Sequence, residues 1–275
     1  VRLHGAGALV AICAAVLGAC SAGRPQQARS EVANAEAPAP TPDSTPAPTP
    51  APQPAAAPAP APASAPSAWV PLTPKIRADR ARGIVEFDAV AVLEVGFLEQ
   101  LVCLAGTREH EALFAFDGKA SDVHAALLLV GLEPGAPGHW REVKSGDGSQ
   151  RIEEVAPRGP ALDVAVVLPD GSERAIDWFV RAAPFSPDPD RKPPTRFVFA
   201  GSRFERSKRT GAERYVADSS GSLVGLVTFG DETIGCVDVI PDQAAVAAPV
   251  WEAWSERMPK PGTDVKIRLR RGEDR

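Results

Sequence analysis

The residues of this chain best suited to chemistry are Cys103 and His110, which flank a Gly106-Thr107 turn signal in the stretch LVCLAGTREHEALFAF, residues 101–116. With Gly106-Thr107 as a two-residue turn, the strands pair so that Cys103 stands opposite His110, their Cβ atoms about 5 Å apart. Leu101, Ala112 and Phe114 then share that face, and Glu109 and Glu111 take the other. A protonated imidazole beside the thiol would lower its pKa, and thiolate plus imidazole would begin a zinc or other transition-metal site. Zinc needs about four ligands, or three and a water. His124, in the first turn of a predicted helix, is the third candidate, its imidazole held neutral by the positive helix end. Glu111 joins only with a different turn. The spacing C-x6-H-x13-H is not an established metal signature.

Two other readings compete with metal chemistry. Buried free cysteine is common, and on that ground the packing reading, with Cys103 a small buried hydrophobe and His110 a hydrogen-bonded core or rim residue, is the stronger. A Cys103–Cys236 disulfide is the third, because only these two of the four cysteines remain once Cys13 is removed and Cys20 acylated. The chain has no G-x-S-x-G, Walker A loop, H-E-x-x-H or C-x-x-C. His110-Glu111 begins a zincin motif, but Phe114 stands where its second histidine belongs. His139 follows Pro137-Gly138 and reads as a solvent-exposed loop residue. KSGDGS, 144–149, lacks the acidic ligands of a calcium loop. GSRFERSKRTGAER, 201–214, gathers five cations that could meet an anionic wall polymer, yet reads better as a solvated hairpin tip diluted by Glu205 and Glu213.

The elements that must carry these residues are mostly strands, expected at 83–95, 98–105, 111–116, 162–168, 196–201, 223–230 and 265–270 from their β-branched and apolar content. Pro169-Asp170-Gly171 signals a hairpin between LDVAVVL and RAIDWFV. One helix is expected at about 121–132, capped by Ser121, ended by the Gly131–Gly135 segment and packed deep against a sheet. A second helix is predicted over 249–257, where Trp251 and Trp254 lie three apart. The fold class is α+β, mainly β, with an antiparallel or mixed sheet.

The N-terminus reads differently. Arg2 precedes an apolar run from Gly5 to Leu17 that is too short to span a membrane and has the anatomy of a secretory signal peptide. Leu17-Gly18-Ala19-Cys20 resembles the lipobox of bacterial lipoproteins, which implies acylation of Cys20 and anchorage to a lipid bilayer. Ser21, rather than Asp, after the cysteine resembles lipoproteins sent to the outer membrane. Residues 21–68 follow as a disordered Pro/Ala-rich linker; 37–68 contain 12 Pro and 12 Ala. Such a stretch cannot build a core, and polyproline II at about 3.1 Å per residue would make it a spacer of roughly 100 Å. Composition shifts at Trp69, so residues 69–275 form the globular region. The net charge of −5 gives no sign of nucleic-acid binding.

LEQLVCLAGTREHEALF, VHAALLLVGLEPG, FVFAGSRF and YVADSSGSLVGLVTF occur in that order and together resemble the YdjY-type domain of bacterial envelope proteins, over about Leu72 to Phe229 and more weakly to the C-terminal GTDVKIRLR. Phe197 stands where that pattern leads us to expect tryptophan, and Cys236 falls outside it. The resemblance implies one coherent domain and an envelope location, facing the periplasm or the cell surface. It implies no reaction. The expected function is binding or structural, toward a cell-wall polymer or envelope protein. The alternative is a metal-binding or redox domain, possibly hydrolytic, at Cys103, His110 and His124. Whether the chain is an enzyme is left open.

Overall fold

Strict alternation of apolar and polar residues sets the architecture on one side of the molecule, and unbroken apolar runs set it on the other. A computed structural model describes residues 68–144, 146, 148–241 and 248–273. The signal peptide expected at 1–20, the lipobox Cys20 and the linker, except Ala68, lie outside the described residues. In chain order the elements are β1 (Trp69–Thr73), β2 (Ile76–Asp79), β3 (Ile84–Ala91), β4 (Phe97–Leu98), β5 (Gln100–Leu104), β6 (Ala112–Phe116), α1 (Ala120–Leu129), β7 (His139–Lys144) and β8 (Gln150–Val155). Then come β9 (Ala161–Val167), β10 (Glu173–Ala175), β11 (Val180–Ala182), β12 (Phe197–Phe199), β13 (Phe204–Arg206), β14 (Glu213–Tyr215), α2 (Ala217–Ser220), β15 (Ser222–Gly225), β16 (Ile234–Cys236), β17 (Trp251–Ala253) and β18 (Asp264–Arg271).

Eight strands close into a barrel in the order β3-β18-β9-β12-β16-β15-β5-β6, with β6 returning to β3 through Val90↔Ala115 and Ala91↔Phe114. The protein is therefore mainly β with a mixed sheet, and α1 is the one helix longer than a turn among the described residues. In β3, β18 and β9 period-two alternation sends Val85, Phe87, Ala89, Val265, Ile267, Leu269, Leu162, Val164 and Val166 into one core. Phe87, Ile267 and Val166 stand level across the three strands. Side chains thus fill the barrel rather than lining a channel.

The opposite face of these strands carries charge. Glu86 is only 1 % exposed there, yet its carboxylate accepts from Arg77 Nε at 2.9 Å and Arg268 Nε at 2.8 Å. Glu173 in turn holds Arg268 at 2.5 Å and Arg270 at 2.8 Å. A buried carboxylate is tolerable only when paired and hydrogen-bonded, and the register supplies both arginines from neighbouring strands.

Several sequence expectations change here. The stretch 101–116 is not a hairpin: β5 and β6 run parallel, with Cys103 level with Ala115. Both strands are buried at every position, the pattern of a strand covered on both faces. The seven residues 105–111 make the crossover, shorter than the dozen or so such a connection usually needs. They manage it with a 3-10 turn at Glu109–Glu111 and a Thr107 hydroxyl donating to the Leu104 carbonyl at 2.5 Å. The helix predicted at 249–257 is replaced by β17, middle strand of a β11-β17-β4 sheet, because Trp251 and Ala253 are buried while Glu252 points out. His139 is exposed as expected, but it opens β7 rather than lying in a loop.

The helix α1 spans Ala120–Leu129, and Ser121 does not cap it locally. Asp218 of α2 does so from a distance, accepting from the Ser121 amide at 2.8 Å and the Ser121 hydroxyl at 2.7 Å. Val123, Ala126 and Leu127 pack inward, whereas Leu128 is 46 % exposed, so burial is one-sided. The helix ends in a Schellman motif: Gly131 takes φ 83°, its amide reaches the Leu128 carbonyl, and the Leu132 amide reaches that of Leu127.

Two stability predictions follow from these partners. Asp218→Ala should cost about 1–2 kcal/mol in urea unfolding by removing the remote cap, and Ser121→Ala less, since the helix amide keeps its acceptor. Arg268→Met should cost on the order of 2–3 kcal/mol, because it leaves Glu86 buried with one partner.

Candidate functional site

The residues singled out in the sequence do not converge. Cys103, 0 % exposed, packs with Ala112, Ala115 and Val92, and burial pushes its thiol up to about 11. His110 lies in the crossover turn with its side chain 77 % exposed, its Nε2 3.6 Å from a Glu111 oxygen. It rims a largely apolar cavity of about 290 Å³ with Glu99, Glu111, Phe97, Val227 and Ile240. Cys236 sits on β16, separated from β5 by β15. Two strand spacings alone put it at least about 10 Å from Cys103, and the register adds an offset along the strands, beyond disulfide reach. Both thiols are free, and burial lifts that of Cys236 to about 12. His124 is turned toward other partners. Among the described residues no three His, Cys, Asp or Glu side chains stand together as a metal site. The basic loop is the β13–β14 hairpin, in which Glu205 pairs with Arg203 at 3.2 Å and Arg214 at 2.8 Å.

The structure instead gathers a buried polar cluster where α1, α2, the segment after β12 and the segment before β16 meet. His124 Nδ1 is 3.0 Å from the Tyr215 hydroxyl, which is 3.0 Å from Thr233 Oγ1. Phe199, Phe204 and Tyr215 present edge contacts to the imidazole. This setting suits neutral histidine: desolvation lowers its pKa, offset in part by the Gly201 backbone. Burial likewise raises the Tyr215 hydroxyl. Gly201 at φ 86° has no room for a side chain, since a Cβ would stand 2.4 Å from Pro134 Cβ. Ser202 adopts φ 51°, rare for a residue with a side chain. It is held there by its hydroxyl donating to the Asp231 carbonyl at 2.5 Å and accepting from the Ala217 amide at 3.2 Å.

Glu232, 2 % exposed, completes the cluster. Its Oε1 accepts from the Phe229 and Gly230 amides, while its Oε2 and the Asp231 Oδ1 are buried without a partner. Desolvation outweighs the amide donors and raises this carboxyl to about 7. Chemically the group can exchange a proton near neutrality. None of these residues, however, lines the cavities of about 670, 770 and 290 Å³ on the described surface. The cluster ties together the segments after β12 and before β16 through the Ser202, Tyr215 and Thr233 side chains. Sequence reasoning missed it because Gly-Asp-Glu-Thr, 230–233, reads as a solvated turn; the flanking apolar residues LVTF and IGCV were the available signal.

The pH response separates the two titrating groups. Protonated Glu232 favours the fold, a contribution full below its ordinary 4.5 and lost as pH rises through about 7. Neutral His124 favours the fold above its ordinary 6.5, and that contribution is lost as pH falls. Glu232→Gln should thus make stability rise more steeply between about pH 5 and about pH 7.5 than in the wild type. Urea midpoints at the two pH values check this, and an unchanged difference would refute it.

Comparison with known proteins adds the family and no chemistry. The YdjY domain matches residues 76–270, from β2 to the penultimate residue of β18. No curated protein and no solved structure matches the chain. The span takes in the whole barrel and the buried polar cluster, and on that match this chain belongs to the YdjY domain family.

Proposed function

We propose that this protein is a bacterial envelope lipoprotein whose folded region binds an envelope polymer or protein and does not act through Cys–His chemistry. Acylated Cys20 anchors it in the bilayer, facing the periplasm or the cell surface, with Ser21 favouring the outer membrane. The Pro/Ala-rich residues 21–68 space the barrel from the lipid.

The observation that supports a binding role is the sealing of Cys103. A catalytic nucleophile or redox group needs an accessible thiolate, and this thiol is fully buried with its pKa pushed up to about 11. Its expected partner His110 lies out in solvent. With the interior filled by side chains, recognition is left to the outer surface.

The full chain, extracted from membranes without chelator, tests this reading. The N-terminal peptide should carry acyl groups on Cys20, and Cys20→Ala should leave the chain in the soluble fraction. Cys103 and Cys236 should resist a thiol reagent until the protein is unfolded, and Cys103→Ala should leave capture of envelope partners unchanged. Rapid native labelling of Cys103, or near-stoichiometric metal lost in Cys103→Ala, would overturn it.

A further inference from the structure

We infer that the Arg174, Trp178, Arg257 and Trp254 side chains form a recognition site for an anionic envelope polysaccharide, whose ring-borne carboxylate or phosphate groups bind the two guanidiniums. This assignment rests on the binding role proposed above.

Two chain segments build the site. Trp178 lies in the 3-10 turn Ile176–Phe179 between β10 and β11, and Trp254 and Arg257 follow β17. Pairing of Val180 with Ala253, and the Trp254 amide on the Phe179 carbonyl at 2.8 Å, fix the segments side by side. The Arg257 guanidinium carbon is 3.2 Å from the Trp254 ring centroid and 3.8 Å from that of Trp178, and Arg174 is 5.9 Å from Trp178.

Neither guanidinium has an ion-pair partner among the described residues. Each spends one donor on a backbone carbonyl, Arg257 on that of Trp178 at 3.2 Å and Arg174 on that of Glu173 at 3.1 Å. Arg181 holds Glu252 at 2.6 Å and Glu256 at 3.7 Å, and Arg257 and Arg174 act on Glu256 and Asp170 only through space, without an ion-pair contact. Packing of the Arg257 guanidinium against two indole rings leaves the donors other than the engaged Nη1 to meet carboxylate or phosphate and removes much of the freedom such a side chain would lose on binding. Trp178 remains 44 % exposed, offering apolar surface to a sugar ring beside the two cations.

Binding of the detergent-solubilised full chain to polygalacturonate, phosphomannan and neutral dextran tests the assignment. Polygalacturonate and phosphomannan distinguish carboxylate from phosphate as the anchoring group. At least one should bind, more weakly as salt rises, and dextran should not. Trp178→Ala and Arg257→Gln should weaken binding about 10- to 100-fold. Arg257→Lys, which keeps the charge, should also lose most of it, because an ammonium lacks the stacked fork. Binding of dextran as tight as that of the anionic polymers, binding of none, or wild-type binding by Arg257→Lys and Trp178→Ala would overturn the site. Those results would leave the general binding role standing, whereas a metal lost with Cys103 would remove that role itself.

Discussion

Pairing of β6 with β5 along one edge and with β3 along the other is the joint that closes the barrel. Without it both β6 and β3 would present unpaired amides and carbonyls, the usual invitation to aggregation. Closure in turn demands that β5 and β6 be covered on both faces, which the apolar runs LVCL and ALFAF permit, with Gln100 at the start of β5 reaching Ser222. The chemical fate of Cys103 follows from this requirement rather than from its neighbours in sequence. A thiol on a strand buried at every position is desolvated, and the short crossover carries His110 outward.

Polar groups are buried around the barrel as well, and several of them are met by pairing. Glu86 lies between two arginines from adjacent strands. His124, Tyr215 and Thr233 satisfy one another across three segments. Asp218 supplies the N-terminal acceptor that α1 lacks locally. Such networks are worth having only when nearly complete, because in low dielectric an unpaired group costs more than a paired one returns. Glu232 is one exception, with one oxygen engaged and one orphaned, and desolvation raises its carboxyl to about 7.

Polar cost also decides what stays on the outside. The interior is occupied, and the buried polar cluster is closed. What remains outside is a set of surfaces held rigid by their attachment to the barrel, among them the arginine–indole stack beside the β11-β17-β4 sheet. The YdjY domain match covers this barrel together with the cluster packed on it.

Much of the fold could be read directly. The alternation in GIVEFDAVAV and VKIRLR marks paired strands whose apolar face is buried, because a pleated strand turns successive side chains to opposite sides. Pro169-Asp170-Gly171 marks the β9–β10 hairpin, and Gly131 marks the end of α1, since both glycines take backbone angles that other residues resist. These are local properties, set by a few adjacent residues. Tertiary structure decided the rest: that β5 and β6 run parallel, that Trp251 lies in a strand, that Asp218 caps a helix some hundred residues before it, and that Cys103 and His110 part. Each depends on partners remote in the chain, and an apolar run such as LVCL is compatible with several pairings until closure of the barrel selects one.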